Sequence, residues 1–202
     1  LDGNYPVGTG NVALGDTALD ALTSGGNNTA IGWASASSLT SGGQSVAVGQ
    51  YALNSATTSS GNTAVGYQSM RFNITGSSNT ALGQEALTVN TASNNTAVGY
   101  QAGYSNQTGT LNTFIGRLAG YSNTASKNTF VGNGNGYTNS SGQENTSVGD
   151  RAFYLNTTGS NNDSFGAGSL ENNTTGSYNT ASGSYALNKN TTASNNTAVG
   201  YQ

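Results

Sequence analysis

The chain has 202 residues, of which 33% are hydrophobic and 6% are charged, and its formal net charge is −3. Its five basic residues are scattered and form no footprint for nucleic acid, and no apolar run approaches the roughly 18 residues that would span a membrane. The lack of His and Cys excludes catalytic triads, thiol nucleophiles, common zinc sites and a disulfide framework.

The first ten residues precede the repeats of this sequence and contain its only proline, Pro6. We expect residues 1–10 to form an entry segment that caps the first edge of the fold. Residues 11–202 are expected to form one elongated domain, because the repeats run through them without a break. Since the chain begins at Leu1 and stops within a repeat at Gln202, we expect it to be a piece of a longer protein or a processed product.

The repeat is clearest in a heptapeptide, Asn-Thr-Ala-Val-Gly-Tyr-Gln, which occurs at residues 62–68, 95–101 and 196–202. With its Asn as position 1 and its Gly as position 5, each repeat is 17 residues long, except for two of 16 residues. The position-5 glycines are Gly15, Gly32, Gly49, Gly66, Gly83, Gly99, Gly116, Gly132, Gly149, Gly166, Gly183 and Gly200. A period this short and regular predicts one solenoid coil per repeat. Thirty glycines and the absence of helical apolar spacing disfavour helices, so the sequence predicts an all-β fold, a parallel β-solenoid or β-roll of about eleven 17-residue coils.

Positions 1–5 of each repeat have the length and composition of a short strand. Side chains alternate along a strand, so positions 2 and 4 share one face. Position 4 is apolar in all but one repeat (Ser182) and is predicted to be the core column, comprising Leu14, Ile31, Val48, Val65, Leu82, Val98, Ile115, Val131, Val148, Phe165 and Val199. Position 9, which is Leu in five of eleven repeats, is predicted to be a second, less regular interior column. None of the thirteen charged residues lies in either column. Asp2 precedes the repeats, eleven lie at positions 6, 7, 10, 11 and 17, and the outlier is Asp163 at position 2, a position expected to point inward.

Other columns carry polar side chains. Position 1 is Asn in eleven of twelve repeats, and position 12 is Asn in every repeat from Asn73 to Asn190. Asn columns stacked in register predict amide ladders. The position-5 glycines predict corners that need positive φ or very close backbone approach. Positions 12–16 have turn chemistry, and both 16-residue repeats lose a residue there, which predicts that the strand register is kept.

Aromatic residues interrupt the pattern in the middle of the chain. Phe114 and Phe130 replace the small residue of position 3, and position 9 is Gly in the same repeats. Four tyrosines follow one another at position 10: Tyr104, Tyr121, Tyr137 and Tyr154. These aromatics either fill volume left by the missing leucines or form a strip that contacts a sugar or receptor. The sequence leaves both interpretations open.

The segment Ser45-Val46-Ala47-Val48-Gly49 resembles the short repeat in the head domains of trimeric autotransporter adhesins (the YadA type), and similar Asn-Thr-Ala-x-Gly arrays occur in bacteriophage tail fibres. The resemblance covers residues 11–202. It implies a left-handed parallel β-roll in which positions 2 and 4 point inward and three chains associate side by side. The coil of this chain is longer than that of the adhesin heads, and the extra residues fall in the predicted turn.

Energetics also favour association. Each coil offers only about two large apolar side chains to offset the conformational entropy that is lost when its 17 residues become ordered. Burial of a second face between chains would add stability. The small residue at position 3, Ala in most repeats, is the predicted contact column of a parallel homotrimer.

No pattern of acidic residues indicates catalysis. Glycoside hydrolysis needs two carboxylates across a cleft, and nothing in the sequence places Glu144 and Asp150 at one. Asp163 is expected to face a hydroxyl or a backbone amide. We therefore expect a protein that is not an enzyme and that needs no metal or cofactor.

Three classes of function fit the sequence. The first is a structural and adhesive fibre segment, extracellular, from a phage tail fibre or a bacterial surface adhesin, with a cell-surface glycan or receptor as partner. The second is an ice-binding solenoid, suggested by Thr at position 13 in eight of eleven repeats. The third, a polysaccharide-cleaving tailspike, is disfavoured by the few acidic residues. The first is the leading hypothesis.

Overall fold

The computed structural model describes residues 8–202, so the predicted cap residue Pro6 lies outside the described part of the chain. Each repeat contributes one strand of three residues, and no residue from 8 to 202 lies in a helix. The strands are β1 (Val12–Leu14), β2 (Thr29–Ile31), β3 (Val46–Val48), β4 (Thr63–Val65), β5 (Thr80–Leu82), β6 (Thr96–Val98), β7 (Thr113–Ile115), β8 (Thr129–Val131), β9 (Thr146–Val148), β10 (Asp163–Phe165), β11 (Thr180–Ser182) and β12 (Thr197–Val199). They form one parallel sheet in chain order. The predicted β-solenoid is confirmed.

Every strand pairs with the next in the same repeat register. Thr80 lies opposite Thr96, and Thr113 lies opposite Thr129, although these pairs span the two 16-residue repeats. The missing residue of each short repeat is therefore absorbed outside the sheet, as predicted from its place in the turn.

The direction of the strand side chains differs from the sequence-based prediction. Position 3 points inward: Ala64, Ala81 and Ala97 are completely buried. Positions 2 and 4 point outward, and none of their side chains is buried. The predicted core column is wrong at every position named for it: Leu14, Ile31, Val48, Val65, Leu82, Val98, Ile115, Val131, Val148, Phe165 and Val199 are half-buried or exposed. The inward direction implied by the adhesin resemblance is wrong for the same reason.

The coil interior is narrow, which explains why alanine faces it. Position 9 supplies the large side chains, including Leu53, Met70 and Leu87, all fully buried, and this column was predicted correctly. Position 3 is phenylalanine in two of the three repeats whose position 9 is glycine, and the third, with Gly103, keeps Ala97. A Cβ on Gly120 would collide with the ring of Phe114, and one on Gly103 would lie 2.6 Å from Cδ2 of the same ring. Large and small side chains thus exchange places across a constant interior volume.

Both predicted amide ladders are present. At position 1, Asn62 Oδ1 accepts a hydrogen bond of 3.0 Å from the backbone N–H of Asn79 in the next coil. At position 12, Asn106 Nδ2 donates to Asn90 Oδ1 at 3.0 Å. A third ladder was not predicted: at position 16, the Ser77 Oγ accepts from the Ser60 N–H at 3.1 Å. Each ladder satisfies polar groups inside the stack and ties one coil to the next.

The corner glycines behave as predicted. All twelve have φ between +125° and +146°, in the region that favours glycine. A Cβ on Gly99 would also lie 2.5 Å from the carbonyl oxygen of Gly116 in the next coil. Left-handed backbone at positions 7 and 9 was not predicted. Leu53 and Leu87, for example, have φ of 52° and 49°.

Candidate functional site

The outer side of the sheet is a regular surface that runs through all twelve strands of the described chain. We call the outward side chains at positions 2 and 4 of β1–β12 the sheet face. Leu82 and Ile115 are 43% and 40% exposed on it, and Thr96 beside them is half-buried. With adjacent strands about 4.8 Å apart, eleven steps make the face roughly 53 Å long. Asp163 is the only charged residue at these two positions.

The threonine hydroxyls at position 13 and those on the sheet face differ in their hydrogen-bond partners. At position 13, Thr40 Oγ1 donates to the Thr57 carbonyl at 3.0 Å, and Thr157 Oγ1 donates to the Thr174 carbonyl at 3.0 Å. These hydroxyls are consumed in holding coils together. On the sheet face, no threonine hydroxyl bonds to another residue of the described chain, and these threonines are Thr29, Thr63, Thr80, Thr96, Thr113, Thr129, Thr146, Thr180 and Thr197. Their hydrogen-bonding capacity is directed away from the protein.

One interruption lies near the C-terminal end of the sheet face. Asp163 and Phe165 are exposed on β10, and the small Ser182 follows in register on β11. The expected inward direction of Asp163 is wrong, and its charge is explained by its outward place. Strands β1–β9 therefore form an uninterrupted stretch, with Val or Thr at position 2 and Val, Ile or Leu at position 4.

The structure brings the four predicted tyrosines together in one stack. Ring centroids are 5.2 Å apart for Tyr104 and Tyr121 and 5.1 Å for the next two pairs, with interplanar angles of 8–10°. The guanidinium of Arg151 covers Tyr154, with Cζ 4.4 Å from the ring centroid. Because each inner ring face lies against another ring, the stack offers mainly edges and hydroxyls to a ligand, and stacking a sugar on the inner rings is disfavoured.

The volume left by the missing leucines is filled by the interior phenylalanines and not by the tyrosines. Phe114 and Phe130 stack with centroids 5.9 Å apart and fill the space above the position-9 glycines. The tyrosines instead lie half-buried at the surface. Burial raises the pKa of Tyr137, and the neighbouring Tyr121 and Tyr154 raise it further.

A second aromatic cluster was missed in the sequence because its members occupy different repeat positions. Trp33 packs against Tyr51 at a centroid distance of 4.7 Å. The guanidinium carbon of Arg71 lies 4.6 Å from the centroid of Tyr51 and 4.9 Å from that of Phe72. The sequence indicates this cluster only when positions 6, 7, 10 and 11 of three successive coils are compared.

The acidic residues considered for catalysis have ordinary partners. Glu144 Oε1 forms an ion pair of 2.7 Å with Lys127 Nζ, and Asp150 Oδ1 accepts a hydrogen bond of 2.9 Å from Asn133. The Glu144 hydrogen bond raises the pKa of Lys127. Among residues 8–202, no group of three or more His, Cys, Asp or Glu is arranged to hold a metal ion.

Comparison with protein-family models, with curated proteins and with solved structures found no match to this chain. Within the described residues, no helix is long and apolar enough to cross a membrane. The choice of site therefore depends on the structure, in which the sheet face is the best-supported candidate.

Proposed function

We propose that the chain is a rigid structural and adhesive segment of an extracellular fibre, and that the sheet face is its contact surface. The observation that carries this proposal is the outward direction of two regular columns along β1–β9, with threonine or valine at position 2 and an aliphatic residue at position 4, all half-buried or exposed. Contiguous exposed apolar surface on this scale marks sites of interaction.

The ladders support the structural part of the proposal. Each coil contacts only its neighbours, so stiffness depends on how firmly adjacent coils are joined. Here they are joined by strand pairing and by side-chain ladders at positions 1, 12, 13 and 16. A rod built in this way holds its outer columns in fixed register.

The adhesive part rests on the sheet face and on the resemblance of the Ser45–Gly49 segment to adhesin and tail-fibre repeats. We propose a phage tail fibre or a bacterial surface adhesin as the parent structure, with attachment to a cell-surface glycan or receptor as the broad role.

The homotrimer remains a prediction, but its contact column changes. Position 3 lies inside each coil, so the predicted contact through small residues is wrong. A homotrimer would use an outer column of the coil instead. Light scattering distinguishes a mass of 20.2 kDa from three times that value.

Attachment is tested with two variants of the same coil, Thr96→Lys on the sheet face and Gln107→Lys on the exposed turn. Both add one positive charge. Fluorescent beads carrying wild type or either variant are applied to a glycan array and to bacterial cells. We expect Thr96→Lys to lose binding and Gln107→Lys to retain it. Equal binding by the two variants would show that the sheet face is not the contact surface.

A further inference from the structure

We propose that the partner of the sheet face is an ordered water lattice, the surface of ice. This inference rests on the proposed function only in taking the sheet face as the contact surface. It also moves the ice-binding hypothesis from position 13, where sequence patterns placed it, to positions 2 and 4.

The first argument is spacing in two directions. Strand pairing repeats the columns about every 4.8 Å along the rod, and positions 2 and 4 lie roughly 6.6 Å apart along each strand. The in-register pairing from β1 to β9 keeps this grid over nine strands. Crystal planes of ice present oxygen atoms on a grid of the same order, whereas a soluble ligand has no need of a grid repeated over nine strands.

The second argument is chemical. Each of the strands β2 and β4–β9 carries a threonine at position 2 and an aliphatic side chain at position 4. The threonine offers both a methyl and a hydroxyl group. The hydroxyls bond to no other residue of the described chain, so they can join the lattice, and the methyls can order the water between them. Position 13 lacks this freedom because its hydroxyls bond to carbonyl groups of the next coil.

The third argument is regularity. No charged or aromatic side chain occurs at positions 2 and 4 of β1–β9. Small-molecule sites rely on a few convergent polar groups in a concave pocket, whereas positions 2 and 4 repeat similar side chains from strand to strand. Regular side-chain ladders also favour the flat sheet that such a lattice needs, because they oppose the usual twist between strands.

The part of the sheet face that is proposed to match the ice lattice ends before β10. Asp163 and Phe165 break both columns, and the next strand carries Ser182 in place of an aliphatic residue. We therefore assign the ice-binding surface to the nine strands from Val12 to Val148.

The test measures thermal hysteresis and the shape of ice crystals grown in the presence of the protein. We expect wild type to show a freezing-point gap and faceted crystals. Thr96→Lys should lose most of the gap and should lose the facets, whereas Gln107→Lys should keep both. Melting curves of the three proteins establish that each remains folded.

Two results would overturn the inference. The first is a folded wild-type protein that produces neither a gap nor facets. The second is an equal response from the two lysine variants. If the wild type gives no gap while Thr96→Lys still abolishes binding to cells or glycans, the adhesive function stands and the ice assignment fails. A trimeric mass together with absence of hysteresis identifies a second copy of the chain as the occupant of the face.

Discussion

Positions 3 and 4 of one strand are neighbours in the sequence but have opposite roles. Ala97 is completely buried between the sheet and the opposite wall of the coil, whereas the larger and more apolar Val98 is half-buried on the outer side. Hydrophobicity alone would place them the other way round. The difference shows that the size of a side chain decides whether it fits the interior of a narrow coil, so the more hydrophobic of two adjacent residues can lie on the outer side.

Introducing a charge at each of these positions gives the largest expected contrast. Ala97→Asp places an uncompensated carboxylate in a site with no exposure, so we expect loss of the folded rod. Val98→Asp leaves its charge in water and should cost about 0.5 kcal/mol. Thermal unfolding followed by circular dichroism measures both. Similar melting temperatures for the two variants would contradict the observed direction of the strand.

The second largest loss of stability is expected from changing the pairing of a large and a small side chain at positions 3 and 9. Phe114→Ala should destabilise the rod by about 3–5 kcal/mol because it empties the space over a glycine. Adding Gly120→Leu restores the Ala–Leu pairing of other coils and should recover part of the loss, since Leu87 already adopts the same left-handed backbone at position 9. Urea unfolding of the single and double variants measures the coupling. Independent, additive effects would rule out packing between positions 3 and 9.

The corner of the coil gives a smaller effect. Gly99→Ala should cost about 1–3 kcal/mol from backbone strain, with a further cost from the 2.5 Å approach of its Cβ to the Gly116 oxygen. Gly61→Asn is the matched control. Gly61 also has a positive φ, of 67°, but its nearest neighbour would lie 3.7 Å away, and Asn27 adopts this backbone at the same repeat position. A loss of stability in the control as large as in Gly99→Ala would show that close approach is unimportant.

The tyrosine stack gives the smallest effect, visible only at high pH. The pKa of Tyr137 is raised in the folded state from an ordinary value of 10.0, chiefly by burial, so folding favours the neutral phenol. The associated stability is fully present below pH 10 and is lost as the pH rises through the folded pKa. Tyr137→Phe should lessen this alkaline loss, whereas Tyr178→Phe, at an exposed site outside the stack, should not. Identical pH profiles for both variants would contradict the assignment.

The fold could be predicted because the repeat itself encodes it. Period, corner glycines and Asn columns are each read directly from spacing, and each corresponds to a contact between identical positions of adjacent coils. The direction of the strand could not be read in this way, because alternation shows that positions 2 and 4 share a face without showing which face is inside. Two signals pointed to the answer: Phe114 occurs with Gly120, and Asp163 lies at position 2. Both indicate that position 3 faces the interior.

The candidate site was predicted less well than the fold. Threonine at position 13 and threonine at position 2 look alike in the sequence, and only the hydrogen bonds separate them. Thr40 at position 13 donates to a carbonyl of the next coil, whereas Thr96 at position 2 has no such acceptor within reach. Bonds of this kind depend on backbone geometry in the turn, which repeat spacing does not specify.

The hydrogen bonds between coils run along the rod, and this direction determines how the rod responds to pulling. Tension applied to the two ends of the chain breaks the hydrogen bonds of the terminal coils first. The coils therefore detach one after another. Each released coil of 17 residues lengthens the chain by roughly 55 Å when extended. A rod made of such coils yields in many small steps and dissipates a sudden load.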